Sequence, residues 1–378
     1  MRRRLTRLLV FTLAVLVLKV GHFASARTSS DAPQRLAYLG ARLDARDVPG
    51  LAPGAPFDGE WLLVEHSFTI AAATNQAFRH PEQLDARRVE VKRWLESLLR
   101  ADTRAFDTKK WNEDALTSLE STHGHVGFLG HLSWALGASC LLGNELPPLA
   151  LPVADALARR FDASPSALLE TYPGETYVPD NVVAVAGLSL LQRCRADTRQ
   201  AATIDRFLRV MRAERLDPKT GVLVFAPGQM GRGSGAAWMA YFLTFIDEAF
   251  AREQFGALFR EFGTPVPFGA FAIREWPRGV ERGGDVDSGP LVFGLSPSGT
   301  GFALAGPAFT SDDAQLRAML TTAEFVGTSV GSAHRRYLVA PLVGDAITLA
   351  TRTATPWRWA PQTHADADRP RLDPPQSP

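Results

Sequence analysis

Along this chain, stretches that are apolar on every side alternate with stretches that are apolar on one side only. "WLLVEHSFTIAAATNQAF", from Trp61, carries almost no polar stripe, whereas "LDARRVEVKRWLESLLR", from Leu84, gathers its charges on one face. The alternation recurs. "HVGFLGHLSWALGASCLL" precedes "LPVADALARRF", "PDNVVAVAGLSLLQ" precedes "ATIDRFLRVMRAE", and "GSGAAWMAYFLTFID" precedes "AREQFGALFREF". "DSGPLVFGLSPSGTGFALAG" precedes "SDDAQLRAMLTTAEFV", and a last helix, "VGDAITLATRT", ends the series. Short strand-like pieces ("GVLVFAP", "AFAIREWP", "RRYLVAP") lie in the connections, with Gly and Pro around them.

The interval is steady. A polar residue marks each apolar helix, namely His66, His125, Asp180, Ser234, Asp287 and Asp345, in steps of 59, 55, 54, 53 and 58 residues. One helix pair per fifty-odd residues is the mark of a helical-hairpin repeat. Six apolar helices inside and amphipathic ones outside predict an all-α fold, an (α/α)6 toroid of helical hairpins with short β connections. An open solenoid is the alternative. The toroid is expected over 60–355, after an N-terminal linker at 27–59 and before a disordered Pro-rich tail at 356–378.

If the inner helices run parallel, their N-termini meet at one end of the ring, and the polar groups there converge on one cavity. "STHGHVGFLGHL" puts His125 at such a mouth, where an imidazole that titrates near neutrality suits a general acid or base. His131, six residues on, faces elsewhere and reads as a core histidine. "YPGETYVPDN" supplies Glu175, Tyr177 and Asp180 as catalytic candidates, with Tyr172 and Asn181 as substrate contacts. A carboxylate in a mostly apolar cavity has its pKa raised, which fits it for proton transfer. In "GRGSGAAWMAYF", Arg232 and Ser234 are polar contacts and Trp238 a wall; the stretch matches neither phosphate-binding glycine motif. "GGDVDSGP" adds Asp285 as a contact and Asp287 as a further catalytic carboxylate, and His66 completes the substrate-binding set. Asp, Ser and Asn at helix starts are also ordinary caps. A cap needs one side-chain oxygen, so Tyr172, Glu175 and Tyr177 are surplus to that role.

Composition narrows the classes. The 378 residues are 46% hydrophobic and 21% charged with a net charge of +1, which gives no electrostatic case for nucleic acid or acidic lipid as partner. A small-molecule substrate remains; the oligomeric state is left open. His123 and His125 form an H-x-H, but no third ligand stands at a recognisable spacing, so no metal and no cofactor are assigned. Cys140 and Cys194 read as buried thiols; an oxidising compartment permits a single disulfide between them.

"GHVGFLGHL" (Gly124 to Leu132), followed some 45 residues later by "YVPDN" (Tyr177 to Asn181), resembles the linalool dehydratase/isomerase family. The resemblance implies an (α/α)6 toroid with a central apolar cavity and cofactor-free acid/base chemistry that moves water at an allylic alcohol. It matches His125 to the family's active-site histidine. Tyr177 falls near the place of a cysteine that the family's chemistry uses. The function expected is therefore a lyase or isomerase acting on a small hydroxylated substrate. The alternatives are a carbohydrate-active enzyme of the six-hairpin type, glycoside hydrolase or polysaccharide lyase, and a non-catalytic envelope protein that binds a ligand. Trp238 and Trp276, in the mouth elements, suit the sugar reading.

The N-terminus, "MRRRLTRLLVFTLAVLVLKVGHFASA", has a basic start, an apolar run from Leu8 to Leu18 and small residues ending at Ala26. That is the pattern of a signal peptide at 1–26, and the run is shorter than the roughly 20 residues of a spanning helix. An uncleaved anchor, the one membrane contact considered, is second. Either places the body in the periplasm or outside the cell. N-terminal sequencing of the mature protein from its host is expected to begin at Arg27; an intact Met1 in a soluble cytoplasmic fraction is the contrary result.

Overall fold

The computed structural model describes residues 2–26, 31–45 and 57–357. Its helices, in chain order, are α1 (Arg2–Ala26), α2 (Ala32–Ala45), α3 (Asp58–Arg79), α4 (Leu84–Leu98) and α5 (Ala105–Trp111). Then come α6 (Val126–Leu141), α7 (Ala150–Ala163), α8 (Val178–Arg195), α9 (Ala201–Glu214) and α10 (Gly233–Leu243). The last are α11 (Glu248–Phe262), α12 (Pro297–Ala303), α13 (Ala305–Thr310), α14 (Asp313–Gly327) and α15 (Leu342–Arg352). Two antiparallel ribbons interrupt them: β1 (Gly263–Val266) with β2 (Ala270–Ile273), and β3 (Ser329–Val330) with β4 (Arg336–Tyr337).

The apolar helices form the inner ring. Every residue of α3 from Leu63 to Ala77 is buried, and every residue of α6 except Cys140. By contrast, α9 buries only Thr203, Ile204, Phe207 and Met211, the narrow stripe of a helix covered on one side. Around the ring α3 packs on α6, α6 on α8, α8 on α10, α10 on α12, and α12 on α15; α15 returns to α3 and closes it. The fold is an all-α (α/α)6 toroid, as the repeat interval predicts. The tightest seam lies between α6 and α8. A Cβ on Gly137 would stand 2.5 Å from that of Leu190, and one on Gly187 2.5 Å from the backbone nitrogen of Trp134. At the far end of this seam Cys140 and Cys194 are joined in a disulfide, the arrangement the sequence reading ranked behind free thiols.

The sixth outer helix comes from the segment read as a linker. α2 buries Leu36, Leu39 and Leu43 and packs against α3 and α15. Its Arg35, 2% exposed, reaches Asp31 (2.8 Å), Glu324 (3.3 Å) and Asp345 (3.4 Å), and touches the Ser329 hydroxyl. At the other margin, Trp357 is buried and stacks on Trp134, so the core extends into the start of the expected tail. The rest of that tail, 358–378, and residues 27–30 beside the expected cleavage point lie outside the described residues. α1 lies along α14, with Lys19 Nζ donating to the Phe325 carbonyl at 2.8 Å. No helix among the described residues is long and apolar enough to cross a membrane.

Inside the ring, Phe68, Trp134, Tyr241, Phe242 and Phe245 pack edge to face or stacked, at centroid distances of 5.1 to 6.5 Å. This aromatic plug fills the interior below the helix mouths. Arg35 fastens the closing hairpin, so Arg35→Ala strands the buried Glu324 and Asp345 without their cation. The variant is expected to lose about 3–5 kcal/mol in urea unfolding; a loss under about 1 kcal/mol would mean the cluster is not what seals the ring.

Candidate active site

Five inner helices open onto one cavity of about 310 Å³. α3 contributes Glu60 and Trp61, α6 Gly127 and His131, α8 Asp180, α10 Ser234 and Trp238, and α12 Phe302, while the outer α5 adds Phe106 and Lys110. Tyr172, Glu175, Tyr177 and Asp287 enter from the loops before α8 and α12. The sixth mouth is different. Asp345 of α15 accepts from the Tyr337 backbone at 2.9 Å and pairs with Arg35, within the closing cluster.

The loop before α8 shows how local chemistry builds the site. Pro173 and Gly174 form a tight turn with Gly174 at φ +79°, and Tyr172 bridges Glu175 in antiparallel fashion. The side chains then pair outward: Tyr172 Oη donates to Glu60 at 2.7 Å, and Tyr177 Oη to Glu175 at 2.8 Å. Asp180 does not cap α8, whose N-cap is Tyr177 with no side-chain bond. It accepts instead from the Thr171 hydroxyl at 2.7 Å. Asn181 is fully buried and clamps the Leu169 amide (2.7 Å) and carbonyl (3.0 Å), so it positions the loop rather than meeting a substrate.

Burial pushes the Asp180 carboxyl up to about 7, with the nearby Asp287 charge adding and the Thr171 bond opposing. Burial likewise raises Glu60 to about 7; the Tyr172 bond opposes, and the charges of Asp180 and Asp287 add. Asp287 is raised by burial and by Asp285. Tyr177 is pushed up to about 12, by burial and then by its bond to Glu175. Asp285 goes the other way: burial acts to raise it, but two bonds to Arg232, at 2.6 and 2.7 Å, hold it below the usual range. Arg232 itself is 5% exposed and also grips the fully buried Glu275 at 2.6 Å, which accepts from Ser234 Oγ at 2.8 Å. Arg232 and Asp285 thus form a brace beside the cavity, not part of its lining.

Asp180, Ser234 and Asp287 meet as the interval predicts; His125 does not join them. Its backbone is left-handed at φ +48°, and its neighbour Gly124 lies so close to Glu170 that a Cβ would sit 2.1 Å from the carbonyl oxygen. The ring is fully buried, with Nδ1 2.7 Å from Asp107 and Nε2 3.0 Å from Glu113. Both nitrogens are engaged outside the cavity, which removes His125 from acid/base work there. His66 is also buried away from it, bonded to the Leu62 carbonyl and Ser97. His131, read as a core residue, lines the cavity floor; burial lowers it to about 3, so it is neutral, and it meets Ser67 Oγ at 2.9 Å. Glu60, Lys110 and Glu275 were not legible. Glu60 sits in the first turn of its helix, six residues before the histidine taken as that helix's marker.

No protein family matches the chain by sequence, and no curated protein matches it. Among solved structures it is similar to an unsaturated glucuronyl hydrolase specific for heparin, with a TM-score of 0.52 and 12% identity over 85% of this chain and 95% of that one. A polysaccharide lyase follows with a TM-score of 0.47 and 11% identity, over 76% of this chain and 88% of that one. The first likeness concerns the toroid fold.

The raised carboxyls have a consequence in pH. Unfolded, Asp180 and Glu60 titrate near 3.8 and 4.5; folded, near 7. Between about pH 4 and 7 the folded chain therefore holds protons that the unfolded chain has released, and stability falls as pH rises through that window. Asp180→Asn removes one such proton and is expected to flatten the decline by up to about 1.4 kcal/mol per pH unit. Urea unfolding at several pH values measures it; an unchanged slope would mean that Asp180 titrates like a free carboxyl.

Proposed function

We propose that this chain is a carbohydrate-active enzyme, a glycoside hydrolase that takes the terminal sugar of a small oligosaccharide into the cavity. One observation carries the reading: a carboxyl titrating near neutrality, Asp180, faces an aromatic-walled cavity beside a second carboxyl, Asp287, close enough to raise it. Protonated Asp180 gives its proton to the glycosidic oxygen as that bond breaks. Ionised Asp287 takes the proton of the attacking water; after product leaves, Asp287 releases that proton and Asp180 takes one up, so both return to their starting states. Trp61 and Trp238 supply flat apolar faces for a sugar ring, and the Glu60–Tyr172 pair offers a fixed donor and acceptor for hydroxyls. Lys110 is the one lysine or arginine among the lining residues, and its charge suits a uronic acid carboxylate. The fold likeness to a glucuronyl hydrolase supports that substrate class.

The lyase or isomerase chemistry implied by the linalool dehydratase/isomerase resemblance finds less support, because its histidine is engaged by Asp107 and Glu113. Export is part of the proposal. A disulfide between Cys140 and Cys194 fits an oxidising compartment, as the signal-like N-terminus does.

Incubation with uronic acid-containing and neutral oligosaccharides, read by mass spectrometry, is expected to release a monosaccharide from one of them. Asp180→Asn should lower that turnover by about 10²–10⁴-fold without lowering the melting temperature. Dehydration of an allylic alcohol, with no sugar released, would decide for the other reading.

A further inference from the structure

The H-x-H beside the site has its third partner after all, brought by the fold rather than by spacing. Glu113, just beyond α5, places Oε1 2.6 Å from His123 Nδ1 and 3.0 Å from His125 Nε2, and the three ligand atoms lie within 4.8 Å of one another. We infer that Glu113, His123 and His125 bind a divalent transition metal of the Zn(II) type, with a fourth position left to water.

Three features set this cluster apart from a chance meeting of side chains. First, the fully buried Asp107 accepts from His125 Nδ1 at 2.7 Å, which holds the ring with Nε2 facing Glu113. His125 Nε2 and Glu113 Oε1 face each other at 3.0 Å, a nitrogen and a carboxylate oxygen aimed at one point. Second, Trp111 lies against both imidazoles, with centroids 4.6 Å from His125 and 5.4 Å from His123, so the rings are oriented before any ion arrives. Third, the loop carrying His123 is pinned by the buried Arg160, which donates to the carbonyls of Ser118, Ser121 and Gly124. Ligand atoms around a tetrahedral zinc stand about 3.3 Å apart, given Zn–N and Zn–O distances of about 2.1 Å. The Glu113–His125 spacing of 3.0 Å is already near that value, the Glu113–His123 spacing of 2.6 Å must widen, and the two histidine nitrogens, within 4.8 Å of each other, would be drawn together by the ion. His123 has a side chain 54% exposed, so an ion has a path in. Two nitrogens and one oxygen suit zinc, cobalt or copper rather than calcium or magnesium.

The ion would be structural rather than catalytic. It ties the end of α5, which carries Lys110 and Phe106 into the cavity, to the mouth of α6. Trp111 continues the link by donating to the Thr171 carbonyl at 3.3 Å, and the Thr171 hydroxyl holds Asp180.

The test uses the full chain, first stripped with a chelator and then titrated with Zn(II) by calorimetry and with Co(II) by visible absorption. The expected result is a single equivalent of zinc bound, intense cobalt bands of a low-coordinate N/O site, and a higher melting temperature with zinc than without. His123→Ala, at an exposed position, and Glu113→Gln should each weaken binding by at least about tenfold while keeping the wild-type circular dichroism. No zinc binding by the wild type, or binding undiminished in both variants, overturns the inference.

Discussion

An inner helix of a closed ring has no free flank. Neighbours press on both sides, an outer helix lies behind, and the aromatic plug stands in front, so a polar side chain along its length must find its partner within the protein. Several do so. Ser67 bonds its own helix and meets His131, and Asn75 reaches across the seam to the Ala350 carbonyl and to Trp357. The parallel course of the ring sets the helix mouths, where Glu60 and Asp180 stand, around a common space. Where the chemistry sits is settled by where burial leaves room for it.

The same constraint decides what a reader of the sequence can see. Helices buried on every side announce themselves by lacking a polar stripe, and the interval between them gives the ring. α2 escapes because the large apolar residues of its buried face are just Leu36, Leu39 and Leu43, beside a buried arginine, and the Pro- and Gly-rich "VPGLAPGAPFDG" follows. At the mouths, Asp180, Ser234 and Asp287 are legible as polar residues at helix starts. His125 looks the same in sequence, yet its ring points away, toward Asp107 and Glu113, from a left-handed backbone at φ +48°. Glu275 is invisible for another reason: it lies in a connection, after β2, and gains its meaning only from meeting Arg232 and Ser234.

The cavity is organised from behind. Thr171 fixes Asp180, Asn181 fixes the loop that holds Thr171, and Glu275 with Arg232 fixes Ser234 and Asp285. None of Asn181, Glu275 and Arg232 lines the cavity itself. Such supporting groups hold a carboxyl in place without giving it a strong donor, which leaves its proton affinity to burial and to its like-charged neighbour.

The disulfide stands at the opposite end of α6 and α8 from the cavity, and the chain between Cys140 and Cys194 carries α7 and the whole Tyr172–Glu175 turn. Pro173 and Gly174, at the tip of that turn, are exposed. A protease that cut there would open the backbone without releasing either fragment. The two pieces would travel together on a non-reducing gel and part only when a reductant was added. A clipped molecule of this kind keeps its helices bolted in place.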